Sequence, residues 1–275
     1  MRSSRSSASG MKTCCRSSRA IARHSSGSLK SASSPNTISD LANRAMPPIG
    51  MVGGMSWHST AHYYRLLNEI SENRHGPRMN AESILVTLPF APLVRAMEEG
   101  DRTGVADRIA VAARQAERAG AGCLLLTAFT AHFAAPAVRE AITVPLINAY
   151  DALADAAGRQ GVTRLGVLGT RHTLADPQLA ARLRQAGIDP VMPTSDTASR
   201  IDMTIAEELI AGKTSQRAGN ALDTAVADLA RQGAQAVALA CTELPLLLPR
   251  QAAVPLIDGV ETHVLHALNT LERME

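Results

Sequence analysis

An internal repeat is the sequence feature that most limits how this chain can fold. The segment GAGCLLLTAFT, followed by VPLIN, parallels the later segment GAQAVALACTE, followed by VPLID. The two segments begin at Gly120 and Gly233, 113 residues apart. In each, a glycine suited to end a helix precedes an apolar strand, a small polar turn, a helix and a second strand. A period of this length indicates two duplicated lobes and argues against a solenoid of short repeats.

From Pro47 onward, short apolar runs alternate with longer amphipathic ones, which is typical of βα units that build a parallel sheet. We therefore predict an α/β fold of two similar lobes, each a mainly parallel sheet flanked by helices, related by a pseudo-twofold axis. The lobes are expected at 46–160, completed by 259–275, and at 161–258. The predicted strands are Ile49–Gly53, Ser83–Leu88, Gly122–Leu126, Val144–Ile147, Leu165–Leu168, Asp189–Met192, Ala236–Ala240 and Pro255–Ile257.

The first 45 residues differ in composition from the rest of the chain. They contain 14 Ser, eight Lys or Arg and a single acid, Asp40. We expect this leader to be disordered. Two interpretations stay open, an organelle transit peptide or residues that precede a functional start near Met46.

The remainder of the chain carries 20 basic and 24 acidic residues, a net charge of −4. This balance, with only seven aromatic Phe, Tyr and Trp residues, argues against nucleic-acid binding. No apolar stretch reaches the roughly 18 residues of a membrane span. Four cysteines do not form a disulfide framework for 275 residues, so a reducing, cytoplasmic setting is expected. The eight histidines show no metal-ligand spacing, and we predict neither a metal nor a cofactor.

Two polar residues stand where the repeated strands are predicted to end. Thr127 follows the first strand and Cys241 follows the second. Because ligands of open α/β sheets bind at the carboxyl ends of the strands, facing lobes would bring these residues to one cleft. A thiol next to the backbone amides that begin a helix can acquire a lowered pKa and act as an acid or base. Cys123, four residues before Thr127, is predicted to be buried instead.

The segments IGMVGGMSWHSTAHYYRLLNE and ACTELPLLL resemble the aspartate/glutamate racemase family. GTRHTL and VPLIDGVETHVLHAL extend the similarity over nearly everything from Pro47 to the carboxyl terminus. The resemblance implies a cofactor-independent enzyme with two thiols on opposite faces of the substrate α-carbon. It also implies a small amino-acid or carboxylate substrate and a possible homodimer.

Carried over by position, Cys241 matches the second thiol of the family, whereas Thr127 stands in place of the first. A Thr hydroxyl donates a proton more readily than it removes one, so the proton transfers on the two faces of the α-carbon are expected to be unequal. Phe129 replaces an amide and Pro89 a polar residue, from which we infer a less polar pocket. By the same resemblance, the predicted substrate-binding residues are Gly54, Met55, Ser56, Arg74, Thr87, Phe90, Thr130, Thr170, Thr242 and Glu243.

The leading prediction is thus a racemase or epimerase of small amino acids, aspartate or glutamate by resemblance, with Cys241 and Thr127 on opposite faces. Two alternatives stay open. One is a one-thiol decarboxylase or dicarboxylate isomerase that delivers a proton to a single face. The other is a catalytically silent paralogue that binds a small carboxylate.

Overall fold

The computed structural model describes residues 46–248 and 251–274. The predicted leader at 1–45 lies outside these residues. The described residues belong to one compact unit, and the predicted lobe boundaries stay predictions. None of the helices in the described part of the chain is both long and apolar enough to cross a bilayer.

Each lobe is built on a four-stranded parallel sheet, and the two sheets have the same strand order. In chain order the strands are β1 (Ile49–Gly53), β2 (Ser83–Thr87), β3 (Cys123–Leu126), β4 (Leu146–Ile147), β5 (Arg164–Gly169), β6 (Asp189–Val191), β7 (Ala236–Ala240) and β8 (Leu256–Asp258). The first sheet runs β2-β1-β3-β4 and the second β6-β5-β7-β8. Thus β3 and β7 occupy equivalent internal positions, each between a first strand and a last strand. The duplication inferred from the sequence is therefore confirmed at the level of topology.

The first half of the chain alternates strands and helices in the expected way. Its elements are β1 (Ile49–Gly53), α1 (Trp57–His75), β2 (Ser83–Thr87), α2 (Phe90–Glu98), α3 (Arg102–Arg118), β3 (Cys123–Leu126), α4 (Ala135–Ala141), β4 (Leu146–Ile147) and α5 (Ala149–Arg159). A 3₁₀ turn at Phe129–Ala134 connects β3 to α4.

The second half repeats the pattern and ends on a long helix. Its elements are β5 (Arg164–Gly169), α6 (Arg171–Leu174), α7 (Pro177–Gln185), β6 (Asp189–Val191), α8 (Ser195–Glu207), α9 (Gln216–Arg231), β7 (Ala236–Ala240), β8 (Leu256–Asp258) and α10 (Gly259–Met274). Short 3₁₀ turns lie at Leu209–Ala211 and Leu244–Leu247.

All eight predicted strands are present, with small differences at their ends. The largest is β4, predicted from Val144 but paired with β3 only at Leu146 and Ile147. It lies at the edge of its sheet, where one neighbour supplies few ladder hydrogen bonds. The internal strands β3 and β7 are buried along their whole length, as expected for a parallel sheet covered on both faces.

The hydrophobic core joins the two lobes. One cluster contains residues of both sheets, including Met51 and Leu125 of the first and Val167 and Ala238 of the second. Helix α10 contributes Val264 and its neighbours to this cluster and packs on α1 and α5. Two further clusters cover the outer faces of the separate sheets. The shared core fixes the strand ends of the lobes relative to each other.

Candidate active site

Cys241 lies directly after β7, at the rim of a cavity between the lobes. Its side chain is nearly buried, and its Sγ donates to Glu243 Oε2 at 3.1 Å. Burial, and next the negative charge of Glu243, raise the pKa of Cys241 well above its ordinary value. Hydrogen bonds from the backbone amides of Glu243 and Leu244 act in the opposite direction by stabilising the thiolate. The resting residue is therefore a thiol with a carboxylate next to it.

Glu243 is the centre of a buried polar cluster that spans both lobes. Ser59 of α1 donates to Glu243 Oε1 at 2.8 Å, and Thr242 donates to Oε2 at 2.5 Å. The Ser59 and Thr242 hydroxyl oxygens also lie 2.5 Å apart. Because Ser59 belongs to the first lobe, the cluster holds the Cys241 strand end against α1. Ser59 was absent from the sequence prediction, since nothing local marks a contact with a residue 184 positions away.

Thr127 occupies the matching position after β3, but its hydroxyl is enclosed. The side chain is fully buried, and its Oγ1 lies 3.3 Å from the Val52 carbonyl and 3.0 Å from Thr60 Oγ1. Thr60 in turn donates to the Ser56 carbonyl. Thr127 does not line the cavity in this conformation. The equivalence of the two strand ends is confirmed, whereas the catalytic role of Thr127 stays a prediction.

The turn from Gly53 to Ser56 forms part of the cavity floor. Gly54 has φ near +90°, and a Cβ there would lie 2.1 Å from the Leu88 carbonyl oxygen, so only glycine fits. The backbone N–H of Gly54 donates a hydrogen bond to Thr60 Oγ1 at 2.9 Å. Ser56 is buried and lines the cavity, and its Oγ has no hydrogen-bond partner in the described part of the chain. An unpartnered buried hydroxyl at a cavity is a candidate contact for a ligand.

The cavity between the lobes has a volume of about 660 Å³. Eight of the predicted residues line it, namely Met55, Ser56, Phe90, Thr130, Thr170, Cys241, Thr242 and Glu243. The volume lies within the usual range for small-molecule sites. No group of three His, Cys, Asp or Glu residues that could hold a metal is found in 46–248 and 251–274.

Three further predicted residues do not line the cavity. Arg74 is the first of these: its guanidinium donates to Glu272 at 2.7 Å and to Asn269 at 2.8 Å, so α10 holds it at the surface. Thr87 ends β2 with an exposed side chain, and Gly54 is covered by Leu88. Spacing along a sequence could not reveal that α10 returns to meet the end of α1.

Phe129 lies in the cavity wall, as inferred, but most of its ring faces the core. It is 2% exposed, and a Cβ on Gly259 would lie 2.5 Å from the ring. The ring also packs near His132 and Tyr150. The prediction that Cys123 is buried is confirmed, and burial raises its pKa to about 12.

Behind the cavity, two buried histidines are held in fixed tautomers by hydrogen bonds within the first lobe. His132 Nδ1 donates to the Ala128 carbonyl, and its Nε2 accepts from the Ala149 amide. His263 Nε2 donates to the Ile147 carbonyl, so its Nδ1 accepts from Tyr63. Both rings are neutral in this arrangement, and burial lowers both pKa values, that of His132 to about 4.

Comparisons with known proteins agree with this architecture. A family model described as Asp/Glu/Hydantoin racemase matches residues 52–267. A candidate Asp/Glu racemase from Yersinia pestis is similar in structure, with 31% identity and a TM-score of 0.77, covering 82% of this chain and 100% of that one. An aspartate racemase homologue from Pyrococcus horikoshii OT3 has 26% identity and a TM-score of 0.73, covering 82% and 99%.

A glutamate racemase from Francisella tularensis, solved with D-glutamate, has the same fold at 16% identity. Its TM-score is 0.60, and the match covers 83% of this chain and 82% of that one.

Proposed function

The chain belongs to the Asp/Glu/hydantoin racemase family, and we propose that it transfers a proton at the α-carbon of a small carboxylic acid, as a racemase or epimerase of amino acids. Cys241 is the proposed acid/base. The observation that most directly supports this proposal is the position of the Cys241 thiol, which lines the cavity and lies 3.1 Å from the Glu243 carboxylate.

The surroundings of Cys241 support both halves of a proton transfer. As a thiol it can deliver its proton to a carbanion, and the resulting thiolate is stabilised by the amides of Glu243 and Leu244. In the reverse direction, Glu243 can accept the thiol proton before the thiolate removes the α-proton. The raised pKa of the thiol favours proton delivery over proton removal at neutral pH.

Racemisation requires a second group on the other face of the α-carbon. Thr127 remains our proposal for that group because it holds the equivalent position after β3. Its hydroxyl is a weak acid and a very weak base, so we expect it to donate a proton and not to remove one. Because the equilibrium constant between two enantiomers is one, kcat and KM would then differ between the two directions while kcat/KM stays equal.

One observation favours a second candidate function, in which a proton is delivered to a single face of the substrate carbon. Thr127 is fully buried, so Cys241 is the only thiol and the only strand-end acid/base on the cavity surface among the described residues. A site of this kind suits the decarboxylation of a substituted malonate, in which carbon dioxide leaves and the thiol protonates the carbanion. Carbon dioxide release from substituted malonates measures this directly.

The main test is proton NMR in deuterated water with a panel of amino acids that includes aspartate and glutamate. We expect the α-proton signal to decay with the wild type and to persist with Cys241→Ala. Cys123→Ala is the matched control, because it removes a buried thiol that does not line the cavity, and it should retain exchange. Exchange that survives in Cys241→Ala would contradict the proposal. The absence of both exchange and decarboxylation would favour a silent carboxylate-binding paralogue.

A further inference from the structure

Part of the cavity lining is apolar, and we call it the apolar wall. It is supplied by α2, by the 3₁₀ turn after β3, and by the end of α8 with the following turn. Apart from Phe129, its large side chains are Phe90, Leu93, Val94, Met97, Phe133, Ile205 and Ile210. Phe90 and Ile210 line the cavity and are 42% and 37% exposed. Large apolar side chains left exposed around a cavity are typical of a site for an apolar group.

The charged side chains of the lining are mostly acidic. Glu98, Asp202 and Glu243 line it together with one Arg, Arg171, and one His, His172. The Arg171 guanidinium is paired with an acid, since its Nε lies 3.8 Å from Asp202 Oδ2. Arg102 lies nearby, but its guanidinium stacks 4.4 Å from the Phe133 ring centroid.

The described lining therefore offers a second substrate carboxylate no Lys or Arg that is free of an acidic partner. Desolvating a carboxylate beside apolar groups and other acids is strongly unfavourable unless a cation is paired with it. A single carboxylate has a suitable place at the polar end. Ser56 Oγ has no partner there among the described residues, and Thr130 and Thr170 also line the cavity.

We propose that the substrate is an acid with one carboxylate and an apolar side chain, and that dicarboxylates are poor ligands. This inference rests on the proposed function for the identity of the reacting carbon. It departs from the expectation of aspartate or glutamate, because the residues that would receive the side chain are apolar or acidic.

Binding to the wild-type full chain tests the inference without requiring turnover. Isothermal titration calorimetry would compare 4-methylpentanoate, which carries the side chain of leucine, with glutarate, which carries that of glutamate. Both lack the amino group. We expect 4-methylpentanoate to bind about ten-fold more tightly or better. Equal or tighter binding of glutarate, or no binding of either acid, would overturn the inference.

A pair of variants tests whether this wall determines the preference for an apolar side chain. Met97→Lys introduces a cation, and Met97→Gln is the uncharged control of similar length. We expect Met97→Lys to shift the ratio of the two dissociation constants toward glutarate by about ten-fold relative to Met97→Gln. An unchanged ratio would show that the wall does not receive the side chain and would overturn the assignment.

The deuterium-exchange panel separates this inference from the proposed function. Faster exchange with leucine than with glutamate supports both. Faster exchange with glutamate supports the proposed function and overturns the inference. If no amino acid exchanges, the proposed function fails, and the binding ratio still decides the substrate preference of the cavity.

Discussion

The thiol of Cys241 and the carboxylate of Glu243 are in direct contact, with Sγ 3.1 Å from Oε2. The two residues are adjacent to the end of β7, and Ser59 of the other lobe holds the carboxylate in place. A negative charge at this distance opposes ionisation of the thiol, while the carboxylate offers a place for its proton. Burial, and next the charge of Glu243, thus raise the pKa of Cys241 and the pH at which its thiolate forms.

Glu243→Gln should lower the pKa of Cys241, because it removes the negative charge that helps to raise it. The Cys241 thiolate would then form at lower pH, and alkylation by iodoacetamide should begin at lower pH than in the wild type. Mass spectrometry of the Cys241 peptide after timed alkylation measures the midpoint. Glu243→Asp keeps the charge and is the control. A midpoint that stays in place or rises in Glu243→Gln would argue against the electrostatic role.

Thr127→Val should slow the inversion of configuration at the α-carbon while leaving exchange of the α-proton with solvent in place. The substitution preserves shape but removes the hydroxyl that contacts Val52 and Thr60. We expect formation of the opposite enantiomer to fall by roughly 100-fold, while exchange on the Cys241 face persists. The free energy of unfolding should fall by about 1 kcal/mol. Chiral chromatography beside the NMR assay measures both rates. Thr127→Ser retains the hydroxyl and should retain inversion, and unchanged inversion in Thr127→Val would remove Thr127 from the mechanism.

Acidification should destabilise the protein through its buried histidines. Burial lowers the pKa of His132 to about 4, whereas an unfolded histidine titrates near 6.5. The unfolded state therefore binds more protons between these values, so the contribution is complete above pH 6.5 and is lost as the pH falls toward 4. For His132 alone it amounts to at most roughly 3 kcal/mol.

Urea unfolding at pH 7.5, 6.0 and 5.0 tests this dependence. His132→Gln should flatten the fall in unfolding free energy over this range, whereas His75→Gln, at an exposed position, should leave it unchanged. The same slope in His132→Gln and in the wild type would assign the pH dependence to other groups.

Arg74→Ala should leave catalysis intact. The guanidinium is bound to Glu272 and Asn269 on α10 and does not line the cavity. We expect KM to change by less than about two-fold, and stability to fall by at most about 1 kcal/mol, as is usual for partly exposed ion pairs. Ser56→Ala is the comparison, since it removes the unpartnered hydroxyl that lines the cavity, and its KM should rise. A large KM effect in Arg74→Ala would restore the role expected from the sequence.

Much of the architecture could be predicted because it depends on local patterns. The repeat around Gly120 and Gly233 predicted the two sheets, and the apolar runs predicted every strand. The position of Cys241 at a strand end follows from the same pattern. Strand ends in parallel sheets meet at one edge, so the location of the cavity also followed.

The details of the site could not be predicted in this way. Ser59 donates a hydrogen bond to Glu243, which lies 184 residues later in the sequence. Arg74 donates to Glu272 of α10, which lies 198 residues later. The hydrophobic pattern of one helix does not show which surface of another helix it will contact. Phe129 was predicted to make the pocket less polar, but its ring is mostly held in the core, and other side chains form the apolar wall.

The sequence by itself determined the duplicated α/β fold and the strand-end position of the thiol, because strand periodicity and turn residues are local properties, and its motifs indicated the family by resemblance. Only the tertiary structure decided which polar groups reach the cavity. Thr127 and Cys241 end equivalent strands, yet the Thr127 hydroxyl is enclosed by Val52 and Thr60 while the Cys241 thiol meets Glu243 at the cavity. That difference arises from how α1 packs against each strand end, a contact between distant segments that only the folded chain brings together.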